Sequence, residues 1–132
     1  MTTQDAGAFR ASVEARLANA STQRTMDVNR LRRHFVFQRI LVRLAPDGVW
    51  VLKGGFALEV RLMRGARSTN DLDLVLMQAA SQEEVQERLR DALDRESGDR
   101  LAFQLSAPKP ITMDDAGNPG WRTAWSPWPR PA

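Results

Sequence analysis

Asp71 and Asp73 stand two residues apart in the run Arg67-Ser68-Thr69-Asn70-Asp71-Leu72-Asp73-Leu74, and sixteen residues before Asp71 the chain passes through Lys53-Gly54-Gly55. On a strand, residues i and i+2 point the same way with Cα atoms about 6.5–7 Å apart, so two such carboxylates can converge on one cation. Mg2+ suits that arrangement: it prefers oxygen ligands, keeps several waters, and is often held by one or two carboxylates plus substrate phosphates. A glycine pair between a strand and a helix permits close backbone approach, and the free amides of a helix N-terminus bind anions. Each motif alone is weak, because turns explain most Gly-Gly pairs and strand ends often carry exposed acids. In the order strand, Gly-Gly, helix, loop, Asp-x-Asp strand, forming a short βαβ unit, they predict metal-assisted nucleotidyl transfer. Asp71 and Asp73 are then the metal ligands and catalytic carboxylates.

The residues around the motifs admit two readings each. Lys53, Gly54 and Gly55 can face a nucleotide's phosphates, with Arg67, Ser68 and Thr69 completing the site from the loop before the first carboxylate. Arg67 can contact a phosphate or orient Asp71; otherwise it is a surface arginine in an ordinary ion pair. Thr69 can bond a phosphate or cap the turn, and Lys53 can reach phosphate or simply meet solvent. Two like charges as close as Asp71 and Asp73 repel, and a cation or Arg67 relieves that repulsion.

The elements that must position these residues follow from periodicity. Phe9, Val13 and Leu17 mark a helix over 6–20. Asp27 caps a second, running to about Leu44, with a stripe of Val28, Leu31, Phe35, Leu41 and Leu44. Pro46-Asp47-Gly48 stops it. Val49-Trp50-Val51-Leu52 suits a buried strand. The helix from Phe56 to Arg64 has Phe56, Val60 and Met63 on one stripe and Leu58 and Leu62 on another, so it is expected to be mostly buried, with Gly65 just beyond its end. Asp71 to Met77 alternates, with Asp71, Asp73, Val75 and Met77 on one face and Leu72, Leu74 and Leu76 on the other. Ser81-Gln82-Glu83-Glu84 is a capping box for a helix that buries Val85, Leu89 and Leu93. Leu101, Phe103 and Leu105 suggest another strand.

Six of the seven prolines and three of the four tryptophans lie between Pro108 and Ala132. Pro127, Pro129 and Pro131 block regular structure, and an irregular tail is expected there. The chain is thus read as an N-terminal helical segment (1–47), a core carrying both motifs (48–107) and a Pro/Trp-rich irregular tail (108–132). The fold class is α/β (α+β), a small mixed sheet flanked by helices.

Composition narrows the setting. With 132 residues and 42% hydrophobic content, one domain with a modest core is affordable. The formal net charge is only +3, which demands no strongly charged partner. Disulfides and thiolate metal sites are excluded because there are no cysteines, and a cytoplasmic location is expected. No stretch approaches the ~20 apolar residues of a membrane span, so no membrane partner is expected. Arg24, Arg30, Arg32, Arg33, Arg39 and Arg43 make the segment before the core basic, opposed only by Asp27: either a surface for RNA such as a tRNA end or a solvated helix face. His34, the only histidine, is either a base or, more ordinarily, a surface or packing residue. Trp121, Trp125 and Trp128 could stack on bases or belong to the tail.

Leu52-Lys53-Gly54-Gly55-Phe56-Ala57-Leu58 followed by Arg67-Ser68-Thr69-Asn70-Asp71-Leu72-Asp73-Leu74 resembles the AbiEii/AbiGii toxin family of nucleotidyltransferases. There a Gly-Gly turn and an Arg-x-Ser/Thr-x-Asp-x-Asp segment form the first motif, and Arg67, Thr69, Asp71 and Asp73 occupy those positions. The resemblance covers about residues 10–106. It implies a nucleotidyltransferase core, Mg2+, a nucleoside triphosphate, an RNA or protein acceptor, and a type IV toxin–antitoxin or phage-defence setting with a cognate antitoxin. Family members are longer and place a third carboxylate on a later strand. Neither Asp114 nor Asp115 is assigned that role, so the chain reads as the N-terminal part of such a protein. The alternative is a truncated, catalytically inactive fragment that binds nucleotide or antitoxin.

Overall fold

The computed structural model describes residues 3–62, 71–77, 81–111, 120–123 and 125–126. Helix α1 (Thr3–Arg24) is followed by α2 (Val28–Leu44), a 3-10 turn over Ala45–Asp47, strand β1 (Trp50–Lys53), helix α3 (Gly54–Leu62), strand β2 (Asp73–Leu76) and helix α4 (Gln82–Leu93). Four short strands complete the order: β3 (Gln104–Leu105), β4 (Lys109–Ile111), β5 (Gly120–Arg122) and β6 (Trp125–Ser126). The fold is α+β, as expected. Among the described residues every strand pair is antiparallel, β1 with β2, β3 with β6 and β4 with β5. The chain that leaves β1 through α3 therefore returns beside it in the opposite direction, where a mixed sheet was anticipated.

Helix α2 lies at the centre. It touches both α1 and α4, and it buries Leu31, Val36, Phe37, Ile40, Arg43 and Leu44. The expected stripe is thus partly displaced, with Phe35 and Leu41 only half-buried. Val36, Ile40 and Leu44 join Ala92, Leu93, Leu101 and Phe103 in one apolar cluster, against which Phe9, Trp50, Leu72 and Leu74 pack. Residues from the N-terminal helices and from the motif-bearing segment therefore share a core.

Ionic contacts tie the helices to their neighbours. Arg32 of α2 donates from Nε to Glu14 of α1 at 3.0 Å, and that bond lowers the Glu14 carboxyl below its ordinary range. Arg43, 1% exposed, donates to both oxygens of Asp99 at 2.8 and 2.7 Å, while Arg39 Nε reaches Asp99 Oδ2 at 2.6 Å. The Leu101 amide adds a bond at 3.0 Å. Burial by itself would raise the Asp99 carboxyl, but the donors from Arg43, Leu101 and Arg39 outweigh it and hold the group well below the usual carboxylate range. This fastens the loop after α4 onto α2, and Arg43 also stacks 4.9 Å from the Phe103 ring centre.

The N-cap half of the capping box is present: Ser81 Oγ accepts from the Glu84 amide at 3.1 Å. Asp27 occupies the N-cap of α2 but makes no side-chain cap bond. The segment after Pro108 departs from the irregular expectation at two places. Lys109, Pro110 and Ile111 pair with Arg122, Trp121 and Gly120, and Trp125 and Ser126 pair with Leu105 and Gln104. These strands are two or three residues long, too short for a periodic pattern, and the proline within β4 is tolerated because proline is accommodated on strand edges.

Candidate functional site

Strand β2 alternates as its sequence dictates. Asp71, Asp73, Val75 and Met77 are exposed, whereas Leu72 and Leu74 are half-buried and Leu76 is buried. The apolar side holds the strand against the core and so aims both acids outward. Strand β1 supplies the complementary alternation. The register sets Lys53 opposite Asp73 and Val51 opposite Val75 on the outer face, with Leu52 opposite Leu74 and Trp50 opposite Leu76 on the inner one.

Because β1 runs straight into α3, the Gly-Gly bend falls beside the acidic end of β2. Gly54 has φ +75°, a left-handed conformation that side-chain-bearing residues seldom adopt. A Cβ added at Gly54 would lie 2.1 Å from Asp73 Oδ2 and 3.0 Å from its Cγ. The carboxylate occupies the space that any other residue would fill. Gly54 thus serves two purposes: it makes the turn and it admits the Asp73 side chain against the backbone. Asp73 and the opening amides of α3 border one site.

Lys53 lies on that same face and is exposed, so an ammonium, an aspartate and a helix N-terminus converge. This combination can hold a phosphate and a cation together: the helix end and lysine for anionic oxygens, the carboxylates for the metal. Among the described residues no group of three or more His, Cys, Asp or Glu is arranged to hold a metal. Arg67, Ser68 and Thr69 lie outside the described residues. Two clefts occur elsewhere, one on α4 lined by Gln82, Glu83, Gln86, Glu87, Arg90, Asp91 and Pro108, the other beneath the inner face at Trp50, Leu52 and Leu74. Neither lining includes Asp71, Asp73 or Gly54.

A family model, described as nucleotidyl transferase AbiEii toxin of the type IV toxin–antitoxin system, matches residues 36–127. The chain belongs to the AbiEii family. Its match begins within α2, takes in both motifs and runs through β6, further toward the C-terminus than the motif resemblance alone reaches and without α1. No curated protein and no solved structure matches the chain. Among the described residues, no helix of this AbiEii chain is long and apolar enough to cross a membrane.

Other sequence candidates resolve differently. Arginines of α2 pair with carboxylates of other elements: Arg30 with Glu59, Arg32 with Glu14, and Arg39 and Arg43 with Asp99. Four of the five arginines of α2 thus meet carboxylates of the same chain, and Arg24 belongs to α1. His34 takes the packing role, edge-on to Phe56 at 5.4 Å with Nε2 3.1 Å from Glu59 Oε1.

Sequence reasoning missed Glu59. Helix α3 buries Phe56 and Glu59 and exposes Leu58 and Val60, at 55% and 54%, where the apolar stripes suggested that Val60 and Leu58 would turn inward. One signal was available: Phe56 and Glu59 stand i, i+3, and the preceding helix is rich in arginine.

Proposed function

We propose that this AbiEii chain transfers a nucleoside monophosphate from a nucleoside triphosphate to an RNA or protein acceptor, using Mg2+. The observation that carries this reading is the contact of Asp73 with the Gly54 backbone, which brings a carboxylate to the bend where helix amides open. The missing side chain at Gly54, which lets Asp73 sit against the opening of α3, and the paired outward acids fit a Mg2+-bound triphosphate. Asp71 and Asp73 would hold the metal, and Lys53 with the Gly54 and Gly55 amides would hold phosphate oxygens. Bound there, Mg2+ would neutralise charge developing on the α-phosphate and activate the attacking hydroxyl.

The chain's own residues orient the reaction. The helix end and Lys53 fix the leaving phosphates, which sets the α-phosphate for in-line attack. Leu72 and Leu74, held against the core, stop the acid-bearing strand from rotating. Arg67, Ser68 and Thr69 are proposed to complete the phosphate contacts, and a cognate antitoxin and a cytoplasmic setting go with the toxin–antitoxin family.

A second reading is favoured by the finding of no three-residue metal group among the described residues: a domain that binds nucleotide, or an antitoxin, without turnover. The two separate cleanly. Purified protein is incubated with Mg2+ and each labelled nucleoside triphosphate in the presence of total RNA and cell protein. Label appearing on RNA or protein, and absent with Asp71→Ala, supports transfer. Nucleotide retained on the protein with no labelled acceptor supports the second reading.

A further inference from the structure

Glu59 is 2% exposed, on a helix whose outer face shows Leu58 and Val60 to solvent. Its Oε1 lies 2.8 Å from Arg30 Nε and 3.1 Å from His34 Nε2. Both are close polar approaches that fall short of hydrogen-bond geometry. Arg30 and His34 are i, i+4 on α2, so the carboxylate sits between side chains one helical turn apart. Phe56, one turn before Glu59, is 1% exposed and packs edge-on to Phe37 at 4.9 Å between ring centres.

A buried carboxylate is an expensive way to join two helices, because removing its charge from water offsets much of the attraction. A leucine would bind the helices as well, but an apolar contact lets one helix slide or turn on the other. A carboxylate lodged between two nitrogens cannot move along α2 without losing one of them. Helix α3 has nine residues, too few to hold its own position without packing. Its first residue is Gly54, five positions before Glu59, or about 7.5 Å along the axis. The close fit of Asp73 against Gly54 leaves little tolerance for movement of that end.

We infer that Glu59 is a positioning residue: held by Arg30 and His34, it fixes the register of α3 on α2 and thereby the place of the Gly54–Gly55 bend relative to Asp73. The consequence for ligand rests on the proposed nucleotide reading; the register itself does not.

The test uses the full chain and two variants. Arg30→Met/Glu59→Met replaces the charged pair by apolar side chains, and His34, with its side chain 25% exposed, keeps access to water. Glu59→Gln keeps the shape and removes the charge; it decides the question if the double variant does not fold. Three quantities are read: the urea midpoint, amide exchange along the helices, and affinity for Mg2+–ATP. The expected result is exchange at Leu58, Val60 and Arg61 at least about tenfold faster than in the wild type, with α2 and α4 unchanged. The Gly54 and Gly55 amide resonances shift, and Mg2+–ATP affinity falls about tenfold. Unchanged exchange in α3, or acceleration of all helices by the same factor, overturns the inference. Wild-type protein that binds no Mg2+–ATP sinks the nucleotide reading, while the exchange comparison still decides the role of Glu59.

Discussion

The Asp73 carboxylate rests against the Gly54 backbone, in the space that a Cβ at position 54 would take, 2.1 Å from Oδ2. Nineteen positions separate the two residues in sequence, and the antiparallel register of β1 and β2 brings them together.

Gly54→Ala therefore carries two costs. The left-handed backbone is strained by about 1–2 kcal/mol for a non-glycine residue, and the new methyl group pushes the Asp73 carboxylate aside. The expected outcome is a protein that still folds, with its unfolding free energy lowered by about 1–2 kcal/mol, but that no longer binds Mg2+–nucleotide. Chemical denaturation and titration calorimetry on the same sample check both halves.

Asp99 anchors the loop after α4 through Arg43 and Arg39. Asp99→Ala strands the buried Arg43 guanidinium and is expected to cost about 3–5 kcal/mol, the range for breaking a buried pair from one side. That is a large share of a small domain's stability, so the variant is expected to be unfolded or nearly so by circular dichroism at 37 °C.

The same contact sets an acid dependence. The Asp99 carboxyl titrates well below its unfolded value of about 3.9. Its contribution is therefore fully present above that unfolded value and is lost as pH falls toward the folded one. Wild-type protein is expected to lose stability more steeply between pH 5 and 2 than Asp99→Asn, which lacks this titration. Urea midpoints across that range, with Glu14 and Asp47 titrating in both proteins, measure the difference.

Strand β2, the Gly-Gly bend and the Ser81 cap were legible in sequence because each is a local pattern: alternation, glycine in a turn, a side-chain oxygen three residues before its amide. The inner face of α3 was not. A nine-residue helix with apolar residues on several sides does not declare which side turns inward, and the partners that draw Glu59 in, Arg30 and His34, come from another helix. The pairings of β4 with β5 and of β3 with β6 were hidden for a related reason. Strands of two or three residues are specified by their cross-strand partners, and Pro110 argued against one of them. Likewise, the arginines of α2 looked like a free basic face because Glu14, Glu59 and Asp99 lie far away in sequence.

That revised view of α3 makes a contrast that can be measured. Leu58→Ser and Val60→Thr are expected to change stability by no more than about 0.5 kcal/mol, as surface substitutions. Phe56→Ala, on the buried side, is expected to cost about 3–5 kcal/mol. Equal losses at Leu58 and Phe56 would restore the fully buried helix that the apolar stripes suggested.

Asp73, seated at the Gly-Gly bend, is proposed to help hold a metal-bound nucleotide. Isothermal titration of Mg2+ with each of the four nucleoside triphosphates into wild type and Asp73→Ala tests it most directly. The expected result is saturable binding of at least one nucleotide by the wild type, dependent on Mg2+ and abolished in Asp73→Ala with the fold retained. Equal binding by the two folded proteins, or none by the wild type, would contradict it.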